Sequence, residues 1–197
     1  AGDNGRITVS DSQILAGSGG GNAAVISNPG SSNNAGFLNA SGNWWGSTDA
    51  TSVATDAGGN ADYSPFLASD DNTATTGFEG DFSTLILDSN SPDADNQTGT
   101  KLEEALALGG SKLSLGQFED IDLILQSTGG DYDATAPVET FGRVTIADDL
   151  SFTGSGPVTI VNNELAVDDG VSITNSPNFN VQKRFVGEDG SGSGSTL

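Results

Sequence analysis

The stretch Val144-Thr145-Ile146-Ala147-Asp148-Asp149-Leu150-Ser151-Phe152-Thr153-Gly154-Ser155-Gly156-Pro157-Val158-Thr159-Ile160 begins and ends on the same three residues. The step from Val144 to Val158 is 14 positions, and a looser copy, Val171-Ser172-Ile173, starts 13 positions later. Leu150-Ser151-Phe152 is matched in the same way by Leu165-Ala166-Val167. Asp148-Asp149, Gly154-Ser155-Gly156 and Asp168-Asp169-Gly170 separate the copies, and Asn162-Asn163 and Asn175 occupy further turns. Short β-branched or aromatic runs between Gly, Asp and Asn read as strands between tight turns. One such unit is too small to bury its own apolar face. Stacking the units sets like over like and builds a continuous core, which is the logic of a solenoid. A β-sandwich of regular hairpins shares the punctuation and is the plainer alternative.

The pattern extends towards the N-terminus. Arg6-Ile7-Thr8-Val9 looks like the same unit, and Gln13-Ile14-Leu15, Ala23-Ala24-Val25-Ile26 and Gly36-Phe37-Leu38 are further short apolar runs between turns. Residues 68–100 are acidic, interrupted by the apolar run from Phe82 to Leu87, and read as a connector with one strand in it. Lys101-Leu102-Glu103-Glu104-Ala105-Leu106-Ala107-Leu108 is the one convincing helix. Thr100 serves as its N-cap, Glu103 as capping-box partner, and Gly109-Gly110 as its stop. Ile121 to Leu125 reads as a buried strand, and Glu188 to Leu197 as a flexible Gly/Ser tail.

Composition narrows the chemistry. Among 197 residues there are 27 Asp+Glu against 6 Lys+Arg, a formal net charge of −21, and there is no Cys, Met or His. So acidic a chain is repelled by nucleic acid and by anionic membranes, while Ca²⁺ is its natural small partner. Without His or Cys, the commonest general base and the thiolate nucleophile are missing. Since Ala1 is not a start residue, a processed product or an excerpt is expected. No apolar run approaches a membrane span, so no membrane insertion is expected.

Asn43-Trp44-Trp45-Gly46, followed by Asp62-Tyr63-Ser64-Pro65-Phe66-Leu67, resembles the closing pattern of right-handed parallel β-helices of the pectate-lyase-like superfamily. The resemblance covers residues 39–67. It implies that Asn43, Trp44, Trp45, Gly46, Tyr63 and Pro65 form a structural end-cap over the last rung. A looser similarity, from Gly77-Phe78-Glu79-Gly80-Asp81 to the helix at 101–108, resembles the linker and opening helix of a β-helix unit in repetitive bacterial surface proteins. A closing motif thus precedes an opening one, which leaves open rungs at both outer ends. The expectation is head-to-tail assembly, with residues 141–185 of one copy docking on residues 1–40 of the next. Ile7, Val9, Val158, Ile160, Val171 and Ile173 are the self-assembly candidates.

The superfamily includes polysaccharide lyases, which use an Arg or Lys base with Ca²⁺-binding carboxylates, and hydrolases, which need paired carboxylates. The basic residues are Arg6, Lys101, Lys112, Arg143, Lys183 and Arg184; only Lys183-Arg184 forms a pair, which follows the last rung. Asp148-Asp149 and Asp168-Asp169 are paired carboxylates, but they stand at turns where Asp serves local backbone needs. No enzyme is expected. Asp88-x-Asn90-x-x-Asp93-x-Asp95 gathers four oxygen side chains and is the candidate Ca²⁺ site, without the Gly and terminal Glu of an EF-hand. Asn39-Ala40-Ser41 and Asn96-Gln97-Thr98 are glycosylation sequons.

These readings predict an all-β fold, a right-handed parallel β-helix with one short capping helix. Residues 1–67 are rungs with the closing motif, 68–100 the connector, 101–187 the capping helix and further rungs, and 188–197 the tail. The function expected is a structural subunit of an extracellular or cell-surface filament or fibre, its partner another copy of itself, either as a head-to-tail homopolymer or as tandem repeats of one longer polypeptide. A carbohydrate-binding or lyase-like domain acting on polysaccharide is the alternative. A binder of ice or mineral would need regular Thr ladders, which Thr145 and Thr159 are too few to form.

Overall fold

A computed structural model describes residues 7–15, 38–58, 61–72, 74–92, 102, 104–105, 107–108, 121–133, 138–153, 159–174 and 178–187. The chain divides into two compact units. The first is Ala1–Asp81 with Ser91–Gln97, and the second is Phe82–Asn90 with Thr98–Leu197.

In the first unit three lengths of chain run parallel. Strand β1 (Ile7–Thr8) pairs with β2 (Leu38–Asn39), and β2 with β3 (Ala61–Asp62), in the register Ile7↔Leu38↔Ala61. The pairing continues past these short strands. Asp11 N–H donates to the Gly42 carbonyl at 2.9 Å, and Ile14 N–H to Trp44 at 2.7 Å. Gly42 N–H donates to Pro65 at 2.7 Å, and Leu67 N–H to Asn43 at 3.0 Å. The three segments therefore stay in step around a bend. Their apolar side chains, Leu38, Ala40, Trp45, Ala61, Tyr63 and the β4 pair (Phe66–Leu67), are buried.

Between β2 and β3 lies a helix that the sequence reading placed nowhere, α1 (Ala50–Ala57). Its sequence, Ala-Thr-Ser-Val-Ala-Thr-Asp-Ala, holds β-branched residues that lower helix propensity, and eight residues are marginal alone. Packing and capping compensate. Asp49 accepts the Thr51 N–H at 3.1 Å and the Ser52 hydroxyl at 2.8 Å. Ala50, Val53 and Ala57 bury one face. Gly58, at φ 75°, ends the helix by donating its N–H to Ala54.

In the second unit five strands follow one another in parallel: β5 (Thr84–Asp88), β6 (Asp122–Gln126), β8 (Val138–Ile146), β10 (Thr159–Val167) and β12 (Asn178–Gly187). A smaller parallel set is interleaved with them: β7 (Tyr132–Asp133), β9 (Leu150–Thr153) and β11 (Ile173–Thr174), with Tyr132↔Phe152 and Leu150↔Ile173 facing. The register aligns apolar residues in columns. Leu85, Leu123, Val144 and Leu165 form one, and Leu87, Leu125, Ile146 and Val167 the other. All eight are buried. At about 1.5–3 kcal/mol for each large aliphatic side chain buried, these columns are a principal source of stability. Tyr132 packs on Phe152 with ring centroids 5.7 Å apart, and its hydroxyl lies 2.9 Å from the Leu87 carbonyl and 2.7 Å from that of Gln126.

The step of the stack differs from the 14-residue recurrence in the sequence. Leu123 faces Val144 and Val144 faces Leu165, 21 positions on each time. Val144-Thr145-Ile146 therefore lies against Leu165-Ala166-Val167, while Thr159 and Ile160 lie against Val138 and Glu139. Val171-Ser172-Ile173 belongs to the other strand set, where Ile173 faces Leu150. The recurring triplet misleads because one copy ends β8 while Thr159 and Ile160 of the next begin β10, at opposite ends of two paired nine-residue strands. Of the helix expected at 101–108, Leu102, Glu104, Ala105, Ala107 and Leu108 are helical, with Leu102 and Ala105 buried. Thr100 and Glu103 lie outside the described residues.

Candidate functional site

Asn43 is fully buried, and its carboxamide bridges two adjacent segments. Nδ2 donates to the carbonyls of Val9 and Ala40, each at 2.7 Å, with Ser41 O at 3.3 Å. Oδ1 accepts the Ser12 N–H at 3.0 Å. One side chain thus satisfies backbone groups at the bend of both segments, where regular pairing cannot. Trp45 beside it is 1% exposed, and its buried Nε1 has no acceptor among the described residues. Trp44 is half-buried, and its N–H donates to the Ser12 carbonyl at 2.9 Å. Gly46 sits at φ 79°, and a Cβ there would lie 3.2 Å from Leu15 Cδ2. Tyr63 and Pro65 are buried, and the Tyr63 ring tilts against Phe66 at 6.4 Å. The end-cap candidates are therefore gathered in one unit, against one core.

A second buried polar group holds the same unit. The Ser91 hydroxyl accepts the N–H groups of Tyr63 and Ser64, both at 3.1 Å, and donates to Asp62 at 3.1 Å. The Asn39 carboxamide oxygen accepts the N–H and hydroxyl of Ser41, so this sequon closes on itself.

The acidic turns show a common use. Asp88 accepts the Thr128 N–H at 2.8 Å, the Thr128 hydroxyl at 2.7 Å and the Asn90 N–H at 3.2 Å. Asp122 accepts the Arg143 N–H at 2.8 Å, Asp148 the Ser127 N–H at 3.1 Å, and Asp149 the Ser172 N–H at 2.8 Å. In the first unit Asp11 does the same for Gly80 at 2.8 Å. Apart from the Asn90 contact, these bonds reach across at least twenty residues to another segment. The expectation that Asp148 and Asp149 serve their own turns is thus corrected: a carboxylate at a turn supplies an acceptor where the neighbouring segment leaves the ladder. The one sequence signal for this use is the recurrence of Asp within three residues of the end of an apolar run, before it at Asp122 and after it at Asp88, Asp148 and Asp149.

Of the Ca²⁺ candidates, Asp88 is buried and engaged as above, Asn90 is exposed, and Asp93 and Asp95 lie outside the described residues. Among the described residues no three acidic side chains converge to hold a metal ion. The self-assembly candidates are dispersed. Ile7 is 54% exposed on β1, while Val9, Val171 and Ile173 are half-buried. Val158 lies outside the described residues, and Ile160 belongs to β10, which is paired on both sides. Among the described residues the outer strand of the five is instead β12. Lys183-Arg184 lies inside that strand rather than beyond the last rung.

Hydrogen bonds from the Ser172 N–H and then its hydroxyl hold the Asp149 carboxyl below the usual carboxylate range. A carboxyl lowered in the folded state stabilises fully above its unfolded value, near pH 4, and loses that contribution as pH falls through the lowered value. Asp149→Asn is therefore expected to flatten the fall of the urea midpoint as pH drops below about 4. An unchanged slope would remove Asp149 from the acid response.

The molecule defined so far is an acidic protein of parallel strands, whose segments are tied to one another by the buried Asn43 carboxamide and by Asp carboxylate acceptors. Comparison with protein-family models, curated proteins and solved structures finds no match.

Proposed function

We propose that this chain is a structural module of an extracellular or cell-surface assembly: a right-handed parallel β-helix whose outer rungs stack on those of another copy. The observation that carries this reading is the in-register parallel stacking in the second unit, where strands advance by 19 to 21 residues from β6 to β12. Such a ladder has no intrinsic stopping point, because an outer strand presents backbone groups to whatever strand comes next. A heterologous contact of this type propagates rather than closes. The carboxylates in the described turns support a structural role, since they are engaged in holding backbone rather than gathered around a cleft.

Negative-stain electron microscopy of the purified chain, paired with its intact mass, tests the proposal. Filaments of uniform width built from the 19.8 kDa chain are expected. Discrete monomers at every concentration up to the solubility limit would overturn it.

A further inference from the structure

The second unit carries a column of alternating charge that ends on its outer strand. Asp122, one residue before Leu123, accepts the N–H of Arg143, one residue before Val144. The Arg143 guanidinium lies 3.5 Å from the Glu164 carboxylate, both side chains being partly exposed. Glu164 in turn faces Arg184 of β12 in the strand register. From β6 to β12 the positions read acid, base, acid, base. A β-bulge maintains the sequence. Asn162 faces Val181 and Glu164 faces Arg184, so two residues of β12, Gln182 and Lys183, stand against Asn163. The bulge sets Arg184 rather than Lys183 in the register position facing Glu164.

We infer that β12 is the edge that receives a second copy, and that Arg184 selects an incoming strand with an acidic residue in the facing position. The inference rests on the proposed stacking of copies and adds its polarity and register. Two observations favour a second copy as occupant. The strand carries two of only 6 basic residues in the chain, against 27 acidic ones, so its edge is complementary to the rest of the same molecule. Every ladder between named strands described above is parallel, and a further parallel strand continues the column by one step. Opposite charges facing across strands are favourable and like charges unfavourable, which gives register selectivity.

The test compares the concentration needed for assembly, by sedimentation, of the unaltered chain, Arg184→Gln, Arg184→Lys and Lys183→Gln at low and high salt. Arg184→Gln is expected to raise that concentration about two- to fivefold at low salt, the range of one cross-strand pair. The difference should shrink at about 0.5 M salt. Arg184→Lys, which keeps the charge, should assemble like the unaltered chain. Lys183→Gln makes the same change in net charge off the column and should have little effect. Equal effects of the two Gln variants, or assembly of the unaltered chain indifferent to salt, would overturn the inference while leaving stacking intact. An unaltered chain that never assembles would overturn both.

Discussion

Asn43→Ala is expected to lower the stability of the first unit by about 2–4 kcal/mol. The side chain is fully buried, and its loss strands the Val9 and Ala40 carbonyls and the Ser12 N–H at once. Each buried backbone group left without a partner costs about 1–3 kcal/mol, partly recovered where water enters the space. Asn43→Asp separates the hydrogen bonds from the volume. It keeps the acceptor for Ser12 but turns an oxygen towards carbonyls that need a donor, so it should be no milder than alanine. Both tryptophans, Trp44 and Trp45, lie in this unit, so their fluorescence during urea unfolding reports it selectively. A loss under about 0.5 kcal/mol, the level of an ordinary surface change, would mean that the bridge between segments holds nothing.

The corresponding change in the second unit is Asp88→Ala, with an expected loss of about 2–4 kcal/mol. Asp88 is buried at the end of β5 and accepts both the N–H and the hydroxyl of Thr128 from the next segment, as well as the Asn90 N–H. Hydrogen bonds to a carboxylate are worth more than neutral ones, and three donors lose their acceptor together. Asp88→Asn retains one oxygen and the shape, and the Thr128 hydroxyl can rotate to accept, so most of the stability should survive. The loss in Asp88→Ala should be the same with calcium and with chelator, measured by far-ultraviolet circular dichroism in urea. Calcium that stabilises the unaltered chain but not Asp88→Ala would instead make this carboxylate an ion ligand.

Residue by residue, the sequence was informative about strands and less so about how they meet. Phe82–Leu87 and Ile121–Leu125 were legible as strands because they are apolar at nearly every position, and β5 and β6 fall there within two residues. The Asn43-Trp44-Trp45-Gly46 turn and the Tyr63–Leu67 segment stood out, and both contribute to the first unit's core. The stacking step was not legible. Of the two Val-Thr-Ile triplets, one ends β8 while Thr159 and Ile160 of the other begin β10, the opposite end of a strand that pairs with it, and composition carries no register. Helix α1 was hidden because its threonines and valine read as strand, while the Asp49 cap and the Ala50, Val53, Ala57 spacing were its only signs. The role of the aspartates was hidden for a different reason. A carboxylate bonded to its own turn and one bonded to a segment twenty residues away look identical in one dimension.

The step from β5 to β6 differs from those that follow it. Leu85 faces Leu123, a separation of 38, whereas the next two steps are 21. The longer connection, which includes the helical residues Leu102, Glu104, Ala105, Ala107 and Leu108, leaves Leu87 facing Leu125. Lengthening a loop of this size adds only about half a kcal/mol in closure entropy. Register along the stack and the length of the connection between two strands are therefore separable. Display elements can be lengthened, exchanged or grafted between β5 and β6 while the pitch of the scaffold stays constant.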